Sequence, residues 1–272
     1  MHNNFLKLTG RNKGQTSTIL VGVHGNEKCG IEALDALLPT LKIENGTVFV
    51  GYGNPLAIKK NVRQVEANLN RMFKLKSALK KQEIISYEYK RAQYIKKHLD
   101  RSEALLDVHA SSTPKSKPFV ICEKNAFEIS KYLPIKIVVS GFDKNQPGGT
   151  DYYMNQKGKI GICIECGYIN DIRSKQIAKN SILAFLALRG HVKGQTKKQN
   201  QLFIGIYKLY TTKTSQFTLV KKFKDFENII KNQIIGYDGN KAISSPKDGI
   251  ILFARNRNEK GEEAFLLGKK IA

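Results

Sequence analysis

The chain has 272 residues, 41% of them hydrophobic, which suffices for one large domain with or without a small appendage and argues against global disorder. No apolar run reaches the roughly 18 residues that a membrane span needs, so we expect no membrane partner. The net charge of +23 comes mostly from Lys spread along the whole chain, which indicates a solvated surface that attracts small anionic substrates rather than a nucleic-acid interface.

The N-terminus and the cysteines bear on the compartment. Residues 1–10 lack the apolar core and cleavage site of a secretory signal, and the four cysteines are scattered without a disulfide framework. We therefore predict a cytoplasmic protein. Cys163 and Cys166 formally match Cys-x-x-Cys, but they fall in an apolar strand-like run where side chains three apart face opposite sides, so we expect no redox or zinc role for them.

Strand-like and helix-like segments alternate over the first two thirds of the chain, which predicts an α/β sheet with helical crossovers. The candidate strands are residues 17–23, 47–52, 104–109, 118–121, 135–140 and 160–166. The candidate helices are residues 28–38, 81–99, 126–132 and 173–188. The strands are short and rich in Val and Ile, as strands buried on both faces tend to be.

The pattern changes after residue 189. Residues 190–201 are polar and basic, which is typical of a linker, and from residue 202 onward short alternating runs are separated by Gly, Asp, Asn and Pro turns. We therefore predict an α/β domain over residues 1–200 and a small all-β domain over residues 201–272.

His24 and Glu27 follow the first candidate strand, in the stretch Val-Gly-Val-His-Gly-Asn-Glu at residues 21–27. An imidazole and a carboxylate three residues apart at a strand-to-helix turn can face one Zn²⁺ ion, and glycines at positions 22 and 25 permit the tight turn. Sites in open α/β sheets lie beyond the carboxyl ends of strands, where this pair falls. The alternative is a capped turn with an exposed His.

Two further candidates follow strands. His109 ends the run Leu-Leu-Asp-Val-His and would emerge at the same edge, with Asp107 placed to hold it by a hydrogen bond; alternatively, it is a satisfied histidine at a strand end. Glu165 lies in an apolar strand, where a carboxylate is costly unless it is paired or functional. It could act as the general base of a metallohydrolase, or it could form a salt bridge with one of the many Lys residues.

Arg63 and Arg71 are two of only nine Arg residues in a Lys-dominated chain. A planar guanidinium grips a carboxylate or an oxyanion better than an ammonium does, and Asn70 adds an amide that can orient a polar substrate. The alternative is a loop held by surface ion pairs.

Taken in order, His-Gly-Asn-Glu, Gly-Asn-Pro, Arg63, Asn-Leu-Asn-Arg-x-Phe, Leu-Asp-Val-His and the late Glu165 resemble the succinylglutamate desuccinylase/aspartoacylase family of the zinc carboxypeptidase clan. The resemblance runs from about residue 17 to residue 167 and extends to a β-rich tail. It implies a mixed central β-sheet flanked by helices, with a small C-terminal all-β domain.

The resemblance also implies roles for individual residues. One zinc ion per chain would be held by His24, Glu27 and His109, and Glu165 would activate water. Arg63 would polarise the scissile carbonyl, an electrostatic role, while Asn70 and Arg71 would bind the carboxylate side of the substrate.

The chain departs from the aspartoacylase pattern in one place. Aspartoacylases have an Arg about ten residues before the catalytic Glu, and this Arg binds the carboxylate of the amino acid. In this chain the corresponding position falls near Asn155, so the resemblance does not imply strict specificity for N-acetylaspartate. Tyr152 and Tyr153 precede the last candidate strand; we assign Tyr153 to the substrate pocket, with core packing as the alternative.

These residues favour a zinc-dependent amidohydrolase that removes the acyl group from a small, acidic N-acyl amino acid. A zinc carboxypeptidase acting on short peptides is the alternative with the same chemistry. A basic module that has lost activity and binds nucleic acid or acidic polymers is the alternative from another class. The sequence leaves the oligomeric state open.

Overall fold

One large mixed β-sheet forms the centre of the protein in a computed structural model that describes residues 5–271. The described strands are β1 (Leu6–Thr9), β2 (Asn12–Val21), β3 (Asn45–Tyr52), β4 (Ala104–Ser111), β5 (Phe119–Cys122), β6 (Ile137–Ser140), β7 (Ile160–Tyr168), β8 (Leu202–Thr211), β9 (Phe217–Leu219), β10 (Glu227–Ile229), β11 (Ile234–Asp238), β12 (Lys241–Ser244), β13 (Gly249–Leu252) and β14 (Glu263–Lys270). The helices are α1 (Lys28–Leu37), α2 (Pro55–Lys60), α3 (Lys81–Ile85), α4 (Tyr87–Leu99), α5 (Phe127–Ser130), α6 (Phe142–Asn145), α7 (Thr150–Asn155) and α8 (Arg173–Leu188), with 3₁₀ turns at Leu69–Arg71, Lys76–Ala78 and Lys124–Ala126.

The large sheet runs in the order β1-β3-β2-β4-β7-β5-β6-β8-β14-β13-β10. Its strands β3, β2, β4 and β7 are parallel, and β5 is antiparallel to β7. Helices α1 and α8 bury apolar side chains against one face, and α4 and α7 against the other. The predicted mixed central sheet flanked by helices is therefore confirmed.

Helix 81–99 was predicted as continuous, but the structure divides it at Ser86. The Ser86 side chain accepts a hydrogen bond from the backbone N–H of Tyr89 at 3.1 Å, so it caps α4 while α3 ends before it. No helix in the described part of the chain combines the length and the hydrophobicity that a bilayer crossing requires.

The C-terminal strands, as we call β8–β14 (residues 202–270), include no helix, in agreement with the predicted all-β segment. Strand β8 pairs with β6, so this segment extends the central sheet, while β9, β11 and β12 form a separate three-stranded antiparallel sheet. Residues 190–201 form neither helix nor strand, but His191 is buried and lies 2.8 Å from Ser17 Oγ. The domain boundary near residue 200 stays a prediction.

Parallel pairing of β2, β4 and β7 positions the candidate site. Val21 is paired with Val108, and His109 with Glu165, so the carboxyl ends of the three strands meet at one edge. Ligands of open α/β sheets bind at this edge. Residues His24, Glu27, His109 and Glu165 are called the histidine edge below.

Candidate functional site

The turn between β2 and α1 depends on glycine at two positions. Gly22 has a φ of +64°, a left-handed conformation that side chains rarely adopt. At Gly25 a Cβ would lie 2.2 Å from the carbonyl carbon of Ala57, so the turn can approach α2 only without a side chain. This close approach directs both His24 and Glu27 toward the edge of the sheet.

Glu27 is the centre of a buried polar cluster. Its Oε1 lies 2.7 Å from His24 Nδ1, and its Oε2 lies 2.9 Å from His109 Nδ1. Arg63 Nη1 approaches Oε1 at 3.1 Å, and the backbone N–H of Ala110 donates to Oε2 at 3.1 Å. One donor atom from each of His24, Glu27 and His109 lies within 4.8 Å of the others, so the structure brings the three predicted ligands together.

The second nitrogen of each histidine faces an oxygen that orients the ring. His24 Nε2 lies 3.0 Å from Asn68 Oδ1, and His109 Nε2 lies 3.2 Å from Asp107 Oδ2. Thr150 donates a hydrogen bond of 2.5 Å to the same Asp107 oxygen. Outer partners of this kind are typical of metal-binding histidines and leave the inner nitrogen free for the ion.

The hydrogen bond to Asn68 leaves His24 Nδ1 facing Glu27. Asn68 Oδ1 also accepts the backbone N–H of Asn70 at 3.0 Å, which identifies it as an acceptor, so the ring proton of His24 lies on Nε2. Burial lowers the pKa of His24 to about 4, so the ring does not carry a second proton at neutral pH. The lone pair of Nδ1 then lies 2.7 Å from a carboxylate oxygen of Glu27. Two lone pairs repel each other at this distance, and a divalent cation bound to both atoms would remove that repulsion.

Charges within the cluster keep Glu27 ionised. Burial alone would raise the pKa of Glu27, but His24 and His109 outweigh it and hold that pKa well below its usual range. Burial likewise opposes the charged form of His109, but Asp107 and Glu27 raise the pKa of His109 well above its usual value. The cluster therefore holds a carboxylate ready for a cation.

Glu165 lies beside His109 on the neighbouring strand. Within residues 5–271 its carboxylate forms no ion pair, and its buried Oε2 has no hydrogen-bond partner, so the alternative of a salt bridge with Lys does not describe the structure. Burial and the nearby Glu27 raise the pKa of Glu165 to about 8. A buried carboxyl group that lines the cavity and has no fixed partner for one oxygen is suited to exchange a proton with a reactant.

A cavity of about 780 Å³ opens at the histidine edge. Its wall includes six of the predicted site residues, namely His24, Glu27, Arg63, Asn70, Arg71 and Glu165. His109 joins this group through its contact with Glu27. Tyr152 lines the cavity, whereas Tyr153 does not; the Tyr153 hydroxyl donates to Asp100 at 2.8 Å. The substrate-binding role of Tyr153 stays a prediction without support from its position.

Comparison with known proteins places this site in a family. Residues 13–190 match the succinylglutamate desuccinylase/aspartoacylase catalytic domain. The chain belongs to this family. It is 29% identical over 172 residues to an N-acyl-aromatic-L-amino acid amidohydrolase (carboxylate-forming) of Xenopus tropicalis, covering 57% of this chain and 55% of that protein. It is 30% identical over 141 residues to the aspartoacylase of the same organism, covering 46% of this chain and 44% of that protein.

The chain thus spans about half the length of these two curated relatives. Among solved structures, a succinylglutamate desuccinylase from Vibrio parahaemolyticus superimposes with a TM-score of 0.82 at 17% identity, covering 98% of this chain and 86% of that one. An ectoine utilization protein from Ruegeria pomeroyi gives a TM-score of 0.73 at 19% identity, covering 97% and 88%. At these identities the structural matches show the shared fold.

The two predicted carboxylate-binding residues of this family member differ, because the protein pairs the Arg71 side chain but not the side-chain oxygen of Asn70. Arg71 forms a bidentate ion pair with Glu263 of β14, at 3.1 Å from Nε and 2.8 Å from Nη2. The buried Oδ1 of Asn70 has no hydrogen-bond partner in the described part of the chain. Asn155, at the position of the departure noted above, accepts the backbone N–H of Gly161 at 3.2 Å and so braces β7. The substrate roles of Asn70 and Arg71 stay predictions.

Three residues that contribute to the site were missed at the sequence level. Glu88 of α4 is fully buried and accepts hydrogen bonds from the Asn54 amide and from three backbone N–H groups at residues 65–67, so it shapes the loop that carries Arg63 and Asn70. Arg255 and Glu263 from the C-terminal strands line the cavity. A buried Glu in a helix has no local signal, but the arginines near residue 255 could have been noticed in so Lys-rich a chain.

Proposed function

We propose that this chain is a zinc-dependent amidohydrolase that hydrolyses the amide bond of small, carboxylate-bearing N-acyl amino acids. The observation that supports it best is the convergence of His24, Glu27 and His109 beside the unpaired carboxylate of Glu165 in one cavity. The two curated relatives carry names of enzymes that act on N-acyl amino acids or remove acyl groups, which favours the same class of reaction here.

His24 Nδ1, Glu27 and His109 Nδ1 would hold one zinc ion, which supplies Lewis acidity and makes water a nucleophile near neutral pH. Glu165 takes a proton from the attacking water as its oxygen bonds to the substrate carbonyl carbon. Glu165 then delivers that proton to the leaving nitrogen as the carbon–nitrogen bond breaks. The products are a carboxylic acid and an amine, and transfer of the acid proton to the amine gives the carboxylate and ammonium forms at neutral pH, so both hydrogens of the water are accounted for.

Arg63 would steady the carbonyl oxygen as negative charge develops on it. One of its guanidinium nitrogens approaches Glu27 at 3.1 Å, and the side chain is 42% exposed, so its remaining N–H groups are open to the cavity. A fixed cation at this place stabilises an oxyanion more than it stabilises a neutral carbonyl. Asn70 and Arg71 would orient the rest of the substrate.

The test is amine release by the zinc-loaded protein from a panel of N-acyl amino acids and dipeptides, with Glu165→Gln alongside. We expect turnover of an acidic N-acyl amino acid, reduced by about 10²- to 10⁴-fold in Glu165→Gln with one zinc still bound. Glu128→Gln changes an exposed carboxylate outside the cavity and is the matched control, with activity unchanged.

Two results would contradict the proposal. Unreduced activity of Glu165→Gln removes Glu165 from the mechanism. Hydrolysis of dipeptides with all N-acyl amino acids inert would instead favour the carboxypeptidase alternative, because both reactions use the same metal ligands and differ in the substrate pocket.

A further inference from the structure

Arg255 extends from the segment between β13 and β14 into the wall of the cavity that holds the histidine edge. Its backbone N–H donates to the carbonyl of Ala264 at 2.9 Å, which ties this segment to β14. The side chain is partly buried, and its guanidinium group forms no hydrogen bond or ion pair within residues 5–271.

The other three arginines of the cavity wall each have a carboxylate partner. Arg63 pairs with Glu27 at 3.1 Å, Arg71 with Glu263 at 2.8 Å, and Arg257 with Glu262 at 3.2 Å. Among the described residues, Arg255 is thus the only arginine of this wall without one. The guanidinium group of Arg255, from the C-terminal strands, is therefore available to bind a substrate carboxylate.

The surroundings of Arg255 make an anionic ligand favourable. Burial and the nearby positive charges of Arg63 and Arg257 lower the pKa of Arg255, and they outweigh the opposing effect of two nearby carboxylates, Asp225 and Glu165. The negative charge of a ligand carboxylate would offset both the burial and the positive neighbours, and a planar guanidinium can bind that carboxylate through two parallel hydrogen bonds. A compact ammonium could not supply that geometry.

We infer that Arg255 binds a carboxylate of the substrate and so selects N-acyl amino acids with a free acid group at that end. This inference rests on the proposed function, and it adds a specificity-determining residue from the C-terminal strands to the site formed by residues 24–165. The bound carboxylate is either the α-carboxylate of the amino acid or the carboxylate of its side chain, and one set of probes separates them.

The probes are N-acetyl-L-glutamate, its α-carboxamide and N-acetyl-L-glutamine. Steady-state kinetics of the zinc-loaded protein would be combined with calorimetric dissociation constants measured in the Glu165→Gln background, where turnover is slow. The variants are Arg255→Gln, Arg255→Lys and the control Arg257→Gln, which changes an arginine of the same segment that already has a carboxylate partner.

We expect Arg255→Gln to raise the KM and the dissociation constant of N-acetyl-L-glutamate by about 10- to 100-fold, the usual effect of losing hydrogen bonds to a charged group. If Arg255 binds the α-carboxylate, the α-carboxamide should bind wild-type and Arg255→Gln protein equally. If Arg255 binds the side-chain carboxylate, N-acetyl-L-glutamine should do so instead. Arg255→Lys should recover part of the affinity, and Arg257→Gln should change it by less than about threefold.

Equal weakening of all three probes by Arg255→Gln would overturn the inference, and so would an equal effect of Arg257→Gln, because both would indicate a disturbed C-terminal segment. Failure of the wild type to bind any probe also overturns it. Binding without hydrolysis, lost in Arg255→Gln, would support Arg255 and contradict the proposed function. Hydrolysis that Arg255→Gln leaves unchanged would support the proposed function and contradict the role of Arg255.

Discussion

Glu165 of the histidine edge and Asp225 of the C-terminal strands are buried carboxylates in opposite situations. Glu165 has no hydrogen-bond partner for its buried Oε2 within the described residues. In the C-terminal strands, Asp225 accepts hydrogen bonds from Ser111, Ser116 and the backbone N–H of Phe253. There the protein itself supplies the donors.

The difference separates groups that await a ligand from groups that hold the fold. An unpaired buried polar atom costs about 1–3 kcal/mol, so such atoms are retained where a ligand completes them. Glu165 at the histidine edge has a buried oxygen without a hydrogen-bond partner, whereas Asp225 of the C-terminal strands receives hydrogen bonds from three protein donors. Arg255 of the C-terminal strands lines the cavity and has no carboxylate partner among the described residues, which is why we assign it to the substrate.

The largest effect should come from Glu27→Gln, compared with Glu263→Gln. Both carboxylates pair with an arginine, but only Glu27 is a predicted metal ligand. Removing an outer partner of a ligand typically costs 10- to 100-fold in metal affinity, so loss of the ligand itself should exceed about 100-fold. Zinc titration with a competing chelator measures it.

Glu263→Gln should keep one zinc per chain, and circular dichroism should show both variants folded. Equal zinc affinity in the two variants would break the comparison, since Glu27 would then be no more a ligand than Glu263 is.

A smaller effect is expected for Asp225→Ala, which removes an acceptor shared by the end of β4 and the segment after β13. The hydroxyls of Ser111 and Ser116 and the N–H of Phe253 would lose their partner, so the free energy of unfolding should fall by about 1–3 kcal/mol. Urea denaturation measures this loss, and zinc stoichiometry should stay at one. Loss of zinc without loss of stability would mean that Asp225 serves the edge instead.

Much of the histidine edge could be predicted because its signals are local. Strand β4 is an apolar run that carries Asp107 and His109 near its end, strand β7 is one that carries Glu165, and the glycines at 22 and 25 mark the turn that holds His24. Parallel pairing then brings the strand ends together, so His109 and Glu165 meet without any further information.

The rest depends on contacts between distant parts of the chain. Strands β10, β11 and β12 have three to five residues each, too few for alternation to distinguish them from turns, and they were not predicted. Arg71 was assigned to the substrate from its residue type and from the family resemblance, but its partner Glu263 lies 192 positions away. Periodicity reports which face of an element is buried and carries no information on which remote carboxylate an arginine meets.

The smallest effect concerns that Arg71–Glu263 pair, whose side chains are 18% and 35% exposed. A double-mutant cycle of Arg71→Gln and Glu263→Gln in urea denaturation should give a coupling free energy of at most about 1 kcal/mol, as for other partly exposed pairs. The kinetics are more informative, because Glu263 occupies the fork that Arg71 would offer a substrate. If Arg71 has its predicted role, Glu263→Gln lowers the KM of the acidic substrate and Arg71→Gln raises it. Unchanged KM in both variants, with the coupling present, would make Arg71 a structural link between the catalytic loop and the C-terminal strands and leave Arg255 as the free cation of the cavity.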